Sequence, residues 1–145
     1  MKHYMGIDPG YSGAIAVINE EGKLVGLQRL KDTEHDIANF MMGRQLSVEL
    51  AILEKVSAMP RQGVASTFKF GTSYGFCRGL LVCNRIRFEA STPGTWQRAM
   101  GCLSKGDKNV TKAAAQRLFP GESVVHATAD AMLLAEYARR LAKQR

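Results

Sequence analysis

The segment YMGIDPGYSGAIAVI at residues 4–18 decides how the fold begins. Apolar and β-branched residues dominate 4–8 and 14–18, and the proline and glycines of 9–13 between them are typical of a turn. A connection this short joins neighbouring antiparallel strands. The segment therefore predicts a β-hairpin whose first strand ends on a carboxylate, Asp8.

The following residues extend the hairpin, and the spacing of their apolar residues then changes from that of a strand to that of a helix. Residues 23–30 predict a third strand, which makes an antiparallel meander. Thr33 followed by Asp36 resembles a helix capping box, with aspartate in place of the usual glutamate. Apolar residues then recur at helical spacing, so a first helix crosses over to LAILEKV at 50–56. The apolar character of 50–56 suits a central strand buried on both faces.

Glycines at four-residue spacing mark the middle of the chain. Gly71, Gly75 and Gly79 would line one face of a helix with no side chain, so that another backbone could approach closely. Three glycines cost a helix about 3 kcal/mol relative to alanine, so a loop is the alternative. If the segment is helical, the glycines permit tight packing on the sheet or on a second subunit.

The rest of the chain predicts one more strand and three helices. Residues 86–90 form an edge or near-edge strand, and Pro93 starts a short helix whose Trp96 suits the core better than a base-stacking platform. Two further helices cover about 108–118 and 125–143. We therefore expect one α/β domain over residues 1–145, in which helices flank a mixed five-stranded sheet, an antiparallel meander followed by parallel strands.

Composition excludes several classes of protein. No apolar stretch approaches the roughly 20 residues of a membrane-spanning helix, and the start of the chain leads straight into a strand, so we expect a soluble, cytoplasmic protein. The three cysteines are odd in number and form no C-x-x-C pair, which argues against a disulfide framework and a cysteine zinc site. We expect reduced, mostly buried thiols.

Three carboxylates lie in apolar surroundings. Asp8 closes the first strand, Glu54 interrupts the most apolar run, and Asp130 follows His126 by one turn on the apolar stripe of the last helix. Buried ionised acids are costly unless a cation compensates them. The pair of His126 and Asp130 alone is better explained by an ordinary capping or hydrogen-bonded interaction. Together with the two strand-end acids, however, it predicts a shared metal site.

The donor set indicates which metal. Carboxylates with one imidazole are mainly hard ligands, which favour Mg²⁺, with Mn²⁺ as a substitute, over structural zinc. Two such ions about 3.5 to 4 Å apart can hold the attacking water and the leaving oxygen in hydrolysis at phosphorus. On this scheme Asp8 bridges two ions, Glu54 holds one, and Asp130 with His126 holds the other.

Positive charge is concentrated in the middle of the chain. Residues 55–118 carry eleven basic and two acidic side chains, whereas residues 1–54 carry five basic and eight acidic ones. Such a block attracts a polyanion, and nucleic acid is the usual one, although a merely soluble basic surface is the alternative. The candidate phosphate contacts, each of which could equally be a solvated surface residue, are Arg61, Lys69, Lys105, Lys108 and Lys112.

Five segments, in this order, resemble RuvC-type Holliday junction resolvases, especially their bacteriophage branch. The resemblance covers nearly the whole chain. A single Gly-x-Asp-x-Gly is weak, since actin-like ATPases share it. The matching segments are Gly6-Ile7-Asp8-Pro9-Gly10, Leu53-Glu54-Lys55-Val56, Phe68-Lys69-Phe70-Gly71 with Tyr74-Gly75 and Arg78-Gly79, Thr92-Pro93-Gly94-Thr95-Trp96, and Ala129-Asp130-Ala131-Met132-Leu133-Leu134-Ala135.

This resemblance implies an RNase H-like fold and a homodimer that nicks a four-way DNA junction at two metal-dependent sites. It carries Asp8, Glu54 and Asp130 over as catalytic carboxylates, with His126 where many relatives have a further aspartate. It places the glycine-spaced helix at the dimer contact. Bacterial members have an aromatic wedge shortly after the glutamate, whereas this chain has Ser57-Ala58-Met59, so wedge opening is not implied. If the chain is phage-encoded, the host cytoplasm is its place of action.

Three alternatives stay open from the sequence. A nuclease of the same fold could act on flaps or RNA-DNA hybrids, because a basic surface contacts phosphates and does not recognise branching. A junction-binding protein without catalysis would have the same charge. An actin-like ATPase would close two such domains around its nucleotide, and one chain of this length holds one, so we expect no nucleotide cofactor.

Overall fold

The computed structural model describes residues 1–145 and contains five β-strands, five α-helices and one short 3₁₀ helix at Arg44–Leu46. The strands are β1 (His3–Asp8), β2 (Ala14–Asn19), β3 (Leu24–Arg29), β4 (Val48–Glu54) and β5 (Phe88–Ser91). The helices are α1 (Glu34–Met41), α2 (Val64–Cys83), α3 (Pro93–Ala99), α4 (Lys108–Leu118) and α5 (His126–Lys143).

All five strands form one mixed sheet in the order β3-β2-β1-β4-β5. Strand β1 is central, antiparallel to β2 and parallel to β4, and β4 is in turn parallel to β5. The predicted meander followed by parallel strands is confirmed. Because β1 and β4 are parallel neighbours, their carboxyl ends reach the same edge of the sheet.

Most predicted boundaries agree with the structure. Thr33 caps α1, and its hydroxyl accepts a hydrogen bond from the Asp36 N–H at 3.1 Å. The strand predicted at 86–90 instead covers Phe88–Ser91. Ile86 donates its N–H to the Leu81 carbonyl oxygen at 3.0 Å, so it closes the end of α2 before β5 begins. The strand predicted at 50–56 begins earlier and ends at Glu54, after which Lys55 is exposed.

The sheet buries one hydrophobic core on each face. Alternate residues of each strand point to opposite faces, so Tyr4, Ala16 and Ile52 pack beneath α5 and α4. Ile7 and Leu53 pack on the other face, beneath α1 and α2. Strand β4, which lies between β1 and β5, is thus buried on both faces, as its apolar sequence predicts.

Helix α5 packs directly on the backbone of β1 at Gly6. A Cβ atom at this position would lie 2.2 Å from the Ala131 carbonyl oxygen and 2.3 Å from the Ala135 nitrogen. Only glycine permits this contact, and alanines on the facing side of α5 complete it. The approach places the first turns of α5 beside the end of β1.

The glycine-rich segment is helical and lies within α2. Its three glycines do not pack on the sheet, because a Cβ atom at Gly71, Gly75 or Gly79 would meet nothing within 4 Å. Of the two partners that the glycines would permit, the sheet is therefore excluded, and the glycine face of α2 is open.

No helix in the structure combines the length and the apolar character that crossing a bilayer requires. All three cysteines are free thiols, as expected; Cys77 and Cys102 are buried and Cys83 is exposed.

We expect Gly6→Ala to lower the free energy of unfolding by about 3 kcal/mol, because an added methyl group forces the β1 and α5 backbones apart. Chemical denaturation of the purified variant measures this loss. The matched control is Gly94→Ala in α3, where a Cβ atom meets nothing within 4 Å. The control should stay within about 1 kcal/mol of the parent protein. Equal stability of the two variants would contradict the packing described here.

Candidate active site

Two carboxylates meet where parallel strands β1 and β4 end. Ile7 pairs with Leu53, so the next residues along each strand, Asp8 and Glu54, lie at the same edge of the sheet. Ile7 and Leu53 point toward α1 and α2. By the alternation of side chains along a strand, Asp8 and Glu54 therefore point toward the opposite face, which α5 covers.

Helix α5 brings the third carboxylate to the same place. Its close contact with Gly6 involves Ala131, the residue after Asp130. Asp130 therefore lies beside the end of β1. His126 is the first residue of α5, one turn before Asp130, and is exposed.

The four predicted site residues line one cavity of about 570 Å³. The structure thus brings together Asp8, Glu54, His126 and Asp130, which lie up to 122 positions apart in the chain (Asp8 to Asp130). The other lining residues are Gly10, Tyr11, Ser12, Gly13, Phe70, Lys108, Thr111 and Ala127.

Local contacts fix two of the carboxylates. Asp8 Oδ1 accepts a hydrogen bond from the Gly10 N–H at 3.2 Å. Gly13 packs against the same residue so closely that a Cβ atom would lie 2.1 Å from the Asp8 carbonyl oxygen. Glu54 is only 8% exposed, and its Oε2 accepts a hydrogen bond from Trp96 Nε1 at 2.7 Å.

Burial raises the pKa values of all three acids, and repulsion from a neighbouring acid adds to the rise at Asp8 and Glu54. Burial, then repulsion from Asp130, raises the pKa of Asp8 to about 6, although the Gly10 N–H and Lys108 oppose the rise. Burial, then repulsion from Asp8, raises the pKa of Glu54 to about 8 against the opposing hydrogen bond from Trp96. Burial also raises the pKa of Asp130. Ionisation of all three acids would therefore place more negative charge in the cavity than its surroundings compensate.

This excess of negative charge fits a divalent cation. Three carboxylates and an imidazole are suitable ligands for Mg²⁺ or Mn²⁺. In the present arrangement no three His, Cys, Asp or Glu side chains are close enough together to hold a metal ion. Trp96 and Gly10 each hold only one oxygen of Glu54 and Asp8, and the carboxylates repel one another across the cavity. Metal binding therefore requires a movement of side chains within the cavity.

The predicted basic residues divide into two groups. Lys108, the first residue of α4, lines the cavity. Lys69 lies outside it, with its Nζ 5.6 Å from the ring centroid of Tyr11, which lines the cavity. Arg61, Lys105 and Lys112 do not line it. Their contacts with phosphate stay predictions.

Sequence reasoning missed three features of the cavity. Thr111 follows Lys108 by three residues, and this helical spacing could have indicated that both face the same site. Tyr11 lies in the turn directly after Asp8, and its exposed ring gave no signal of a role. The bond between Trp96 and Glu54 joins residues 42 positions apart, which no local pattern reveals.

Comparison with known proteins finds likeness in structure alone. No protein-family model matches the chain, and no curated protein matches it either. The structure of Thermus thermophilus RuvC superposes with a TM-score of 0.67 and 16% sequence identity, covering 98% of this chain and 96% of that one. T. thermophilus RuvC in complex with a Holliday junction substrate superposes with a TM-score of 0.68 and 16% identity, covering 99% and 96%.

These superpositions show that the chain has the RuvC fold over nearly its full length. The predicted RNase H-like architecture is confirmed. The narrower resemblance to the bacteriophage branch stays a prediction.

We expect the metal-free protein to lose stability as pH rises from 5 to 8.5. Folding raises the pKa of Asp8 to about 6 and that of Glu54 to about 8. Below the unfolded-state pKa values, both groups are protonated whether the chain is folded or unfolded. Between the unfolded-state and folded-state values, only the folded protein keeps the protons. Stability is thus lost as pH rises through the folded values. From pH 5 upward, Asp8 contributes about one pH unit of this loss and Glu54 about three. At about 1.4 kcal/mol per unit, the loss should be of the order of 5 kcal/mol.

Denaturant titrations in a chelator measure this pH dependence. Glu54→Gln should flatten the curve, because it removes the group with the largest rise in pKa. Glu49→Gln is the control, since Glu49 lies on the same strand but does not line the cavity. A parent protein equally stable at both pH values would contradict the electrostatics of the cavity.

Proposed function

We propose that the protein is a metal-dependent DNA endonuclease that resolves four-way junctions. The observation that supports this most strongly is the arrangement of Asp8, Glu54, Asp130 and His126 around one cavity, in a chain with the RuvC fold. A solved RuvC with this fold is in complex with a Holliday junction substrate. The basic block at residues 55–118 suits a DNA partner.

Asp8, Glu54, Asp130 and His126 would hold Mg²⁺, or Mn²⁺ in its place, with two ions in each site. Bound divalent ions activate water and neutralise the charge that develops at the phosphate in an in-line displacement. The chain itself supplies the orientation of the ligands. Gly10 holds one oxygen of Asp8, and Gly13 packs on the backbone of the same residue.

Phosphate binding would depend on the start of two helices. Lys108 and His126 are the first residues of α4 and α5, and both line the cavity. The positive ends of helix dipoles favour an anion, and the Lys108 side chain adds a full charge. We propose that these groups orient the scissile phosphate, while Arg61, Lys69, Lys105 and Lys112 contact the DNA arms outside the cavity.

We further propose that the protein is a homodimer formed through α2. Its glycine face is open, and it continues at both ends into exposed apolar side chains, Val64 at 89% and Val82 at 60%, with Phe68 at 75% between them. Exposed apolar surface of this kind favours burial against a partner, and the glycines would let two α2 helices approach closely. A two-fold axis would then present two cavities to the pseudo-symmetric arms of a junction.

We expect Asp8→Asn, Glu54→Gln and Asp130→Asn each to reduce cleavage of a four-way junction in Mg²⁺ by about 1,000-fold or more, because the remaining ligands cannot hold the ions that activate water. Junction binding should persist, since the basic residues are unchanged. Gel-shift and single-turnover cleavage assays measure the two effects separately, and Glu49→Gln is the matched control.

Substrate comparison distinguishes the alternatives. A four-way junction, a flap, an RNA-DNA hybrid and a linear duplex are cleaved at matched concentrations. Preference for the junction supports the proposal, and equal rates on all four would remove junction specificity. Unchanged cleavage by Asp8→Asn would refute the assigned site, and a parent protein that binds junctions without cutting them would be a binding protein alone.

We expect Gly75→Leu to convert the dimer to a monomer without unfolding it, because a side chain at this position has open space in the single chain. Sedimentation analysis measures the mass, and circular dichroism checks the fold. The matched control is Ser66→Leu, an exposed position on the opposite side of the same helix by its nine-residue separation. A parent protein that sediments as a monomer, or a Gly75→Leu dimer, would contradict an interface through α2.

A further inference from the structure

The only tryptophan of the chain is fully buried, yet its polar atom is aimed at the candidate active site. Trp96 is 0% exposed, and its Nε1 donates a hydrogen bond to Glu54 Oε2 at 2.7 Å. We propose that Trp96 is a positioning residue that fixes the Glu54 carboxylate as a metal ligand. This inference rests on the proposed function and deepens it, since it assigns a role to a residue outside the set of ligands.

The residues that precede Trp96 place its indole beside Glu54 at the end of the sheet. Glu54, the last residue of β4, pairs with Ser91, the last residue of β5. Thr92 then caps α3 by accepting a hydrogen bond from the Thr95 N–H at 3.4 Å, and Pro93 occupies the start of the helix. The indole is therefore carried one helical turn beyond the strand end, back toward Glu54.

The two oxygens of Glu54 have different surroundings. Oε2 accepts a hydrogen bond from the indole N–H. Oε1 makes no hydrogen bond and is not fully buried, so it is accessible from the cavity that Glu54 lines. A carboxylate held by one oxygen, with the other facing the site, is prepared to bind a metal ion through the free oxygen. Partners of this type orient metal ligands in many proteins.

A purely structural role for Trp96 gives a different expectation. The indole also packs in the core beneath α5, among residues such as Ile52 and Leu133. If packing were its whole function, a side chain of the same shape without the N–H would serve equally well. A test must therefore remove the donor and keep the volume.

The experiment replaces Trp96 with benzothienylalanine, a ring of nearly the same shape in which sulfur replaces the N–H. Binding of Mn²⁺ to the DNA-free protein is measured by the electron paramagnetic resonance of free Mn²⁺, and circular dichroism checks the fold. We expect affinity for Mn²⁺ to fall about 10- to 100-fold, as for other partners of metal ligands. Trp96→Phe should show a similar loss, whereas Glu49→Gln should bind as the parent does.

The indole N–H gives a second measurement that needs neither metal nor activity. With one tryptophan in the chain, its indole resonance in a proton–nitrogen NMR spectrum is unambiguous. A bond to a carboxylate places this proton downfield, and Glu54→Gln should move it upfield while Glu49→Gln leaves it in place.

The outcomes separate the two proposals. A parent protein that binds no Mn²⁺ would overturn the metal site, and the role of Trp96 with it. A parent protein and a benzothienylalanine variant with equal Mn²⁺ affinity would overturn the role of Trp96 alone. The same conclusion would follow if the chemical shift of the indole proton did not change in the Glu54→Gln variant.

Discussion

The contact between Gly6 and the backbone of α5 is the constraint on which the rest of the site depends. It lets α5 lie on β1 with no side chain between them, so that Asp130 reaches the end of the strand where Asp8 lies. The parallel pairing of β1 with β4 adds Glu54 at the same edge. Three elements distant in sequence thus deliver three carboxylates to one cavity because one position lacks a side chain.

In the absence of a bound cation, that arrangement lowers the free energy of unfolding of the chain. Burial raises the pKa values of Asp8, Glu54 and Asp130, and repulsion from neighbouring acids adds to the rise at Asp8 and Glu54. The groups that oppose the rise, chiefly the Gly10 N–H, the indole of Trp96, Thr111 and Lys108, offset only part of it. Clusters of acids with raised pKa values are typical of functional sites, and a bound divalent metal would compensate their charge. The basic block and the open face of α2 then suit a branched, symmetric polyanion.

Much of this could be predicted from the sequence, because local patterns determine it. The meander follows from short turns between apolar runs, and Thr33 and Pro93 mark helix starts that the structure reproduces. The convergence of the acids could be expected from strand ends on one sheet. What could not be predicted depends on distance in sequence: the bond from Trp96 to Glu54 spans 42 positions, and the open glycine face of α2 depends on which side of the helix meets the sheet. The sequence wrongly predicts Ile86 in β5, because no local pattern indicates the hydrogen bond from its N–H to the Leu81 carbonyl oxygen.

The central claim is that Asp8, Glu54 and Asp130 share divalent metal. Diffraction at the manganese absorption edge, from crystals grown with a four-way junction and Mn²⁺, locates the ions without assumptions about ligands. The account predicts two anomalous peaks inside the cavity, each in contact with carboxylate oxygens of these residues. Manganese bound only elsewhere, with the cavity free of anomalous signal at saturating concentration, would contradict it.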